Sequence, residues 1–476
     1  MGETDTDAAD QFDAGVAAGR LDESRPGLWG RVRGLPRNVL AISLVSLLND
    51  ASSEIIYPFL PLFLALTLGA SPFAIGLIEG GAESVSSLLK LFSGYFSDRR
   101  GRRKGLVVFG YGLASVMRPL LAFASSWPQV LFIRLADRVG KGVRSAPRDA
   151  MIADAAAPGE RGIAFGFHRA MDHAGAVVGP LLGFAILSVV AAGSPAPTAS
   201  HYSTLFLLAS IPAAAAVLVA ALLVREREPA AAGARGDRGA ADGAAPGAAA
   251  PAAPPRLSLR GFDSNFKRFL LVLALFTLSN SSDALLLLRA QEAGVGAAAI
   301  PLLWAALHVM KVVSSLVGGD LSDRFGRKAL IVSGWLVYAA VYAGFAVVSS
   351  AAGVWALFLI YGLYFGLVEG SEKALVADLV RPGQRGTAYG LYNLAFGITV
   401  LPASLLLGAL WDWRGARTAF LVSAAVGASA ALLLALTVRG PARHDPRRAR
   451  PRPGKADAAD VGRPAEGREG SGRPDA

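Results

Sequence analysis

The chain has 476 residues, of which 53% are hydrophobic and 17% charged, and its mean hydropathy is +0.44. Soluble globular proteins carry about a quarter charged residues, so this composition excludes an ordinary cytosolic enzyme, a disordered chain and a collagen-like chain as descriptions of the whole. Its 47 Lys and Arg against 36 Asp and Glu give a net charge of +11, and zero Cys excludes disulfides, zinc–thiolate sites and thiol catalysis.

The apolar residues fall in blocks of about 20 or more, a length that spans a bilayer as a helix. In chain order, residues 1–36 are polar and charged, and the acidic start MGETDTDAADQ does not fit a cleavable signal peptide. Six spans are predicted near 38–67, 72–97, 106–125, 128–146, 160–192 and 203–224, an N-terminal bundle over 37–225. Residues 226–263 form an Ala/Gly/Pro-rich linker without an apolar face. Six further spans near 265–289, 295–320, 329–349, 352–376, 385–409 and 415–438 make a C-terminal bundle over 264–439. The tail, 440–476, is rich in Arg, Pro, Gly and Asp and cannot bury enough apolar surface to fold. The fold class is therefore an all-α membrane protein with twelve transmembrane helices in two six-helix bundles.

Lys and Arg cluster in alternate loops: SDRRGRRKG, VGKGVRSAPRD, VRERE, SDRFGRK and RPGQR. The other loops, such as TLGASP, ASSWPQ and VSSAAG, hold almost none. The positive-inside rule places the basic loops and both termini in the cytoplasm, in a multi-pass protein of the cell (inner) membrane. Trp127, Trp411 and Trp413 fall at predicted outer boundaries, where indoles prefer the interface.

The two halves repeat. GYFSDRRGRRK at 94–104 follows the second span and GDLSDRFGRK at 319–328 follows the eighth. IAD at 152–154 with RGIAFG at 161–166 is matched by VAD at 376–378 with RGTAYG at 385–390. Both pairs are offset by about 225 residues. Two motifs at one offset, at the same points of the topology, point to duplication of a six-helix unit, the kind of repeat that builds transporters with a binding site between the halves. The GxxxDRxGRR/K loop, with its echo in the second half, resembles the signature of the major facilitator superfamily, and the resemblance covers nearly everything but tails and linker. It implies two pseudo-symmetric bundles that rock about a central cavity.

The same resemblance implies a conformational latch at these loops, made of Gly94, Asp98, Arg99, Gly101, Arg102 and Arg144 with Asp323, Arg324 and Gly326 in the second half. Physically, Gly101 and Gly326 permit a turn that a Cβ disfavours, and Asp98 could pair with Arg144 or with a helix N-terminus. Plain positive-inside topology also accounts for the arginines. In the fifth span, Gly166, Gly175, Gly179, Pro180 and Gly183 are similar to a motif associated with proton-coupled exporters, although Phe184 stands where a final Gly belongs. Generic close packing of helices is the alternative.

Charged residues inside spans are costly and point to function or to buried pairing. The fourth span carries Arg134, Asp137, Arg138, Lys141 and Arg144, and Arg138 to Gly142 resembles the superfamily's RxxQG motif with Lys141 in place of Gln. Asp50 and Glu54 share a face of the first span, as do Glu79 and Glu83 in the second. A proton-coupled carrier needs a carboxylate that changes between dry and cation-rich surroundings. Asp50, Glu54 and Asp172 are the candidates, with Arg138 or Arg169 as the modulating cation. Asn49, Glu83, Asp283, His308 and Asn393 are candidate cavity residues, joined by Tyr57, Trp304, Tyr361 and Tyr392. Glu369, Glu372 and Lys373 read as an edge cluster, and His168 and His173 as packing residues.

The function expected is secondary active transport by alternating access, as a proton-coupled antiporter driving efflux of small organic molecules. An uptake permease for a nutrient or metal chelate is the alternative. Catalysis is not expected, because the chain lacks a phosphate-binding GxxxxGK, a nucleophile elbow and HExxH. No cofactor and no resident metal are called for. The partners expected are a small-molecule substrate, protons and membrane lipids, with no nucleic acid, and the oligomeric state stays open.

Overall fold

A computed structural model describes residues 33–100, 103–156, 161–226, 258–381 and 384–439. The two terminal segments and most of the linker lie outside these. The helices are α1 (Arg37–Ile56), α2 (Pro72–Arg100), α3 (Lys104–Leu120), α4 (Trp127–Ala155), α5 (Arg161–Val190), α6 (Ala199–Leu222), α7 (Ser264–Ser279), α8 (Asp283–Glu292), α9 (Ile300–Phe325), α10 (Arg327–Val347), α11 (Ala351–Asp378), α12 (Arg385–Arg414) and α13 (Ala416–Thr437). Among the described residues, 9 helical stretches are long and apolar enough to cross a membrane, with α7 and α8 counted as one. Helices α2, α4 and α9 are as long, at 29, 29 and 26 residues, but carry charge along their length. With these three the count reaches the twelve spans expected.

Two spans are interrupted. The first stops at Ile56, before Pro58, whose missing N–H cannot continue the ladder. It resumes as the turn Leu60–Leu62 and a π-helical turn Phe63–Thr67. The seventh span, expected as one helix, is two. Ser279, Asn280, Ser281 and Ser282 are short polar residues of the kind that competes with helix by bonding local backbone, and the Ser279 hydroxyl does so, donating to the Phe276 carbonyl at 2.6 Å. The freed groups find partners: Tyr338 donates to the Ser279 carbonyl at 2.5 Å, and the Ser282 hydroxyl caps α8 by accepting from Ala284 N at 3.2 Å.

The helix pairings of one half recur in the other. Helix α2 packs on α4 and α9 on α11; α3 on α4 and α10 on α11; α1 on α6 and α7 on α13. The end of the molecule that carries the basic loops repeats its bonds as well. Asn38 accepts from Arg225 N at 2.9 Å, and Asn265 from Arg439 N at 2.8 Å. Lys104 Nζ donates to the Ala221 carbonyl at 2.8 Å, and Lys328 Nζ to the Ala435 carbonyl at 2.7 Å, each capping the last helix of its bundle. Arg103 pairs with Asp154 and Arg327 with Asp378, so the two motifs repeated in the sequence meet each other in both halves.

The bundles touch through α2 against α12 and α5 against α9. Between the far end and mid-helix the α2–α12 contact is close. Phe73 N donates to Asp412 Oδ2 at 3.1 Å, and the Ser84 hydroxyl donates to the Gly397 carbonyl. A Cβ on Gly408 would stand 2.6 Å from the Pro72 carbonyl. Toward the basic end the Arg169 side chain of α5 is 62% exposed and the Glu369 side chain of α11 61% exposed.

Candidate functional site

A buried ionic network crosses the first bundle. Glu79 of α2 receives both Nε and Nη2 of Arg134 of α4, at 2.8 and 2.7 Å. Arg134 also lies 3.9 Å from Asp137, which Arg118 of α3 reaches at 3.3 Å. Arg118 then donates to the carbonyl and side-chain oxygen of Asn49 in α1, at 3.0 and 2.9 Å, and Asn49 Nδ2 donates to Asp50 at 2.9 Å. Bidentate and charge-assisted bonds of this kind are what permit ions in an apolar bundle. Asn49 is therefore a member of the bundle's interior and does not line the crevice. Arg118 was not singled out from sequence; a lone Arg in the apolar run ASVMRPLLAF was its signal.

The second cluster lies where the bundles meet. Trp304 Nε1 of α9 donates to Glu54 Oε2 of α1 at 2.7 Å, a bond from one half to the other. The Trp304 ring lies 5.0 Å from Tyr57 and 5.0 Å from His308. Lys311 sits 3.7 Å from Asp283 Oδ2 and over the Phe365 ring at 3.7 Å. Asp283, in the first turn of α8, accepts from Tyr361 OH at 2.8 Å. His308 has both ring nitrogens buried without a hydrogen-bond partner among the described residues.

Helix α5 meets α1 through the glycines of the exporter-like motif. A Cβ on Gly175 would lie 2.7 Å from the Leu47 carbonyl and 3.0 Å from Asp50 Cβ. One on Gly179 would lie 2.6 Å from the Ala51 carbonyl and 2.7 Å from Glu54 Cβ. Gly183 faces Ile55 in the same way at 3.0 Å, whereas nothing lies within 4 Å of Gly166. Three of the four glycines thus hold α5 against the face of α1 that carries both acids, and Pro180 continues within α5.

Other sequence-singled residues divide. Asp172 lies 3.6 Å from His168 and 3.6 Å from Arg169. Arg144 is buried over the Tyr111 ring at 4.4 Å. Glu83 of α2 and Arg138 and Lys141 of α4 are half-buried and within electrostatic range of one another, and the two cations are also within range of Glu54. Asn393 is exposed and bonds to its own helix, its amide donating to the Tyr389 carbonyl at 2.9 Å. The edge reading holds for Glu369 and Lys373, an exposed pair at 3.1 Å, but not for Glu372. That carboxylate is buried in the second bundle and accepts from Trp335 Nε1 at 3.0 Å and Tyr392 OH at 2.7 Å. Trp411 is likewise packed inside against Phe420, while Trp413 is exposed.

Of the latch, Gly326 has φ +91 and heads α10, the turn its position called for. Gly101 and Arg102 lie outside the described residues, as do the side chains of Asp98, Arg99, Asp323 and Arg324 and the surroundings of Gly94. Among the described residues no three His, Asp or Glu side chains gather as a metal site would require.

The sequence matches the Major Facilitator Superfamily profile over residues 42–404 and 290–467. It is 33% identical over 408 residues to an uncharacterised MFS-type transporter of Methanocaldococcus jannaschii, covering 84% of this chain and 95% of that protein. A shorter stretch of 95 residues, 20% of this chain and 22% of the relative, is 36% identical to the multidrug resistance protein MdtH of Shigella flexneri serotype 5b. Among solved structures, the nucleoside transporter NupG superposes with a TM-score of 0.69 at 12% identity, over 84% of this chain and 100% of that one. The chain belongs to the major facilitator superfamily and is a multi-pass membrane transporter.

Proposed function

We propose that this transporter is a proton-coupled exporter of small organic molecules that works by alternating access, with its basic end and both termini in the cytoplasm of a cell-membrane protein. One observation carries the reading: Glu54 of the first bundle is held by a neutral indole of the second, Trp304. An ionised carboxylate accepts that bond strongly. A proton on Glu54 weakens it and so loosens the tie between the halves. Asp50, one turn away on the same helix face, is bonded to Asn49 and lies within electrostatic range of Asp172, Arg144, Lys141 and Arg148. A proton gained there changes the balance on the same wall. The α5 glycines that press on this face support the exporter form of the reading, as does the short likeness to a multidrug resistance protein.

In this cycle Arg138 and Arg169 modulate the acids, and the basic-end turns with Asp98, Arg99, Arg102, Arg144, Asp323 and Arg324 serve as the latch, beside the Arg103–Asp154 and Arg327–Asp378 pairs that hold each bundle together. The test is solute flux in proteoliposomes under an imposed pH gradient. Solute should move against the proton in wild type, and Glu54→Gln or Asp50→Asn should uncouple the two. Solute moving with the proton would assign uptake. Coupling that survives both substitutions would remove these acids from the mechanism.

A further inference from the structure

Two buried polar atoms of α5 face each other with nothing else to bond. His168 is 1% exposed, and its Nε2 has no hydrogen-bond partner among the described residues. Asp172 stands one turn further on, its side chain 12% exposed, and its Oδ1 is buried and without a hydrogen bond in the same way. The two atoms are 3.6 Å apart. A buried polar atom without a partner is costly. One proton between these two satisfies both, because a charged N–H on a carboxylate closes to about 2.7–2.9 Å. On its other side the imidazole Nδ1 lies 3.5 Å from the buried Ser43 hydroxyl of α1, so the ring sits in the seam between the two helices.

The packing of that seam puts the pair in line with the acids of α1. The helices run parallel: Ser43 meets His168, Asp50 meets Gly175 and Glu54 meets Gly179. Side chains three or four apart on a helix have Cβ atoms about 5–6 Å apart. Asp172 precedes Gly175 by three, and a Cβ on Gly175 would lie 3.0 Å from Asp50 Cβ. The Cβ atoms of Asp172 and Asp50 are therefore within roughly 9 Å, a gap that two carboxylates and one bridging water span. Asp50 and Glu54 are one turn apart, and Glu54 holds Trp304. His168, Asp172, Asp50 and Glu54 follow one another from the basic end to the bond between the bundles.

The charges beside this line are Arg169 on α5 itself, 3.6 Å from the second oxygen of Asp172, and Arg148 of α4, which pairs with Asp149 at 2.9 Å and donates to Ser46 at 3.2 Å. Arg144 and Lys141 of α4 are within electrostatic range of Asp50, and Arg138 and Lys141 within range of Glu54. Resting on the proton-coupled reading above, we propose that the α1–α5 seam is the proton's route between the basic end and Glu54, with His168 and Asp172 as the outer pair that shares it. A proton leaving Glu54 passes by Asp50 to Asp172 and His168, and is released to water through the Asp172 carboxylate. The route runs inside the first bundle, so the proton does not cross the space between the bundles that the cargo needs. His168 is then a positioning residue for Asp172 and more than a packing side chain.

The experiment is an infrared titration of the purified full chain in lipid nanodiscs, following the carboxyl stretching bands from acid to neutral pH. Asp172→Asn and Glu54→Gln identify the two bands by their loss. Replacing His168 by Leu fills the seam and removes the shared proton; it should move the Asp172 midpoint by about one pH unit and the Glu54 midpoint with it. Asp50→Asn should keep the response of Asp172 to His168→Leu and cut it off from Glu54. Should the Leu variant not fold, Asp172→Asn reads the same coupling at the Glu54 band and in the resonance of labelled His168. Asp172 and Glu54 midpoints that stay put in these variants overturn the route. If Glu54 still titrates and Glu54→Gln still uncouples transport, the route falls alone; if no carboxyl band responds to pH, the proton-coupled reading falls with it.

Discussion

Single residues carry two kinds of load here, and substitutions separate them. Glu79 and Arg134 are structural: each is the other's neutraliser inside the first bundle, with both side chains about 95% buried from solvent by exposures of 5% and 6%. Removing one strands the other, which costs about 3–5 kcal/mol. Arg134→Met should therefore lower the thermal midpoint in detergent sharply, and Glu79→Leu with Arg134→Met together should recover much of the loss, because two apolar side chains leave no orphan charge. Trp304 should behave otherwise. Trp304→Phe keeps most of the ring but deletes the bond to Glu54, a charged hydrogen bond worth about 1.5–3 kcal/mol. The expected outcome is a chain that melts near wild type yet shows at least about a tenfold change in the ratio of its two crevice states, read by limited labelling of a cysteine at Ala170.

At the scale of elements, close helix contact sets α5 against the acids of α1. Helix α5 lies on α1 only because Gly175 and Gly179 lack a Cβ, with backbone carbonyls 2.7 and 2.6 Å from where one would be. Gly179→Leu should push the two helices apart and abolish folding or transport, whereas Gly166→Leu, with open space around it, should leave folded yield unchanged. The break in the seventh span makes a second prediction. Ser282→Ala deletes the cap of α8, a loss of about 1 kcal/mol, and should show as a lower melting midpoint. Sequence reading found the length and order of most elements because apolar runs of bilayer length have few alternatives. It missed this break because Ser279–Ser282 is short and the flanking runs are apolar; only their tertiary partners, Tyr338 above all, make the interruption tolerable. Glu372 was misplaced for a related reason. Its neighbours Glu369 and Lys373 pair along one exposed face, but a helix turns roughly 100° per residue, which carries Glu372 inward to Trp335 and Tyr392.

At the scale of the whole molecule, the duplication explains why so much of the architecture was readable. The repeated aspartates at 154 and 378 and the repeated basic turns at 103 and 327 are far apart in sequence, yet they meet in each half. A contact preserved in both copies is a constraint on the bundle, so it leaves a mark in the pattern. The pairs between the copies, such as Glu54 with Trp304 and Phe73 with Asp412, have no internal echo. In the proposed cycle these are the bonds to be made and broken, and no periodicity in one chain announces them.

The absence of native Cys makes that cycle directly measurable. Spin labels at Ala170→Cys and Gly370→Cys would report the basic end, and labels at Ser71→Cys and Arg417→Cys the far end, in lipid nanodiscs by pulsed electron resonance. The account predicts that acidification shifts the two distances in opposite senses, one shortening as the other lengthens, and that Glu54→Gln abolishes this response to pH. Two distances that stay fixed across pH, or that move together, would contradict proton-driven alternation of the bundles.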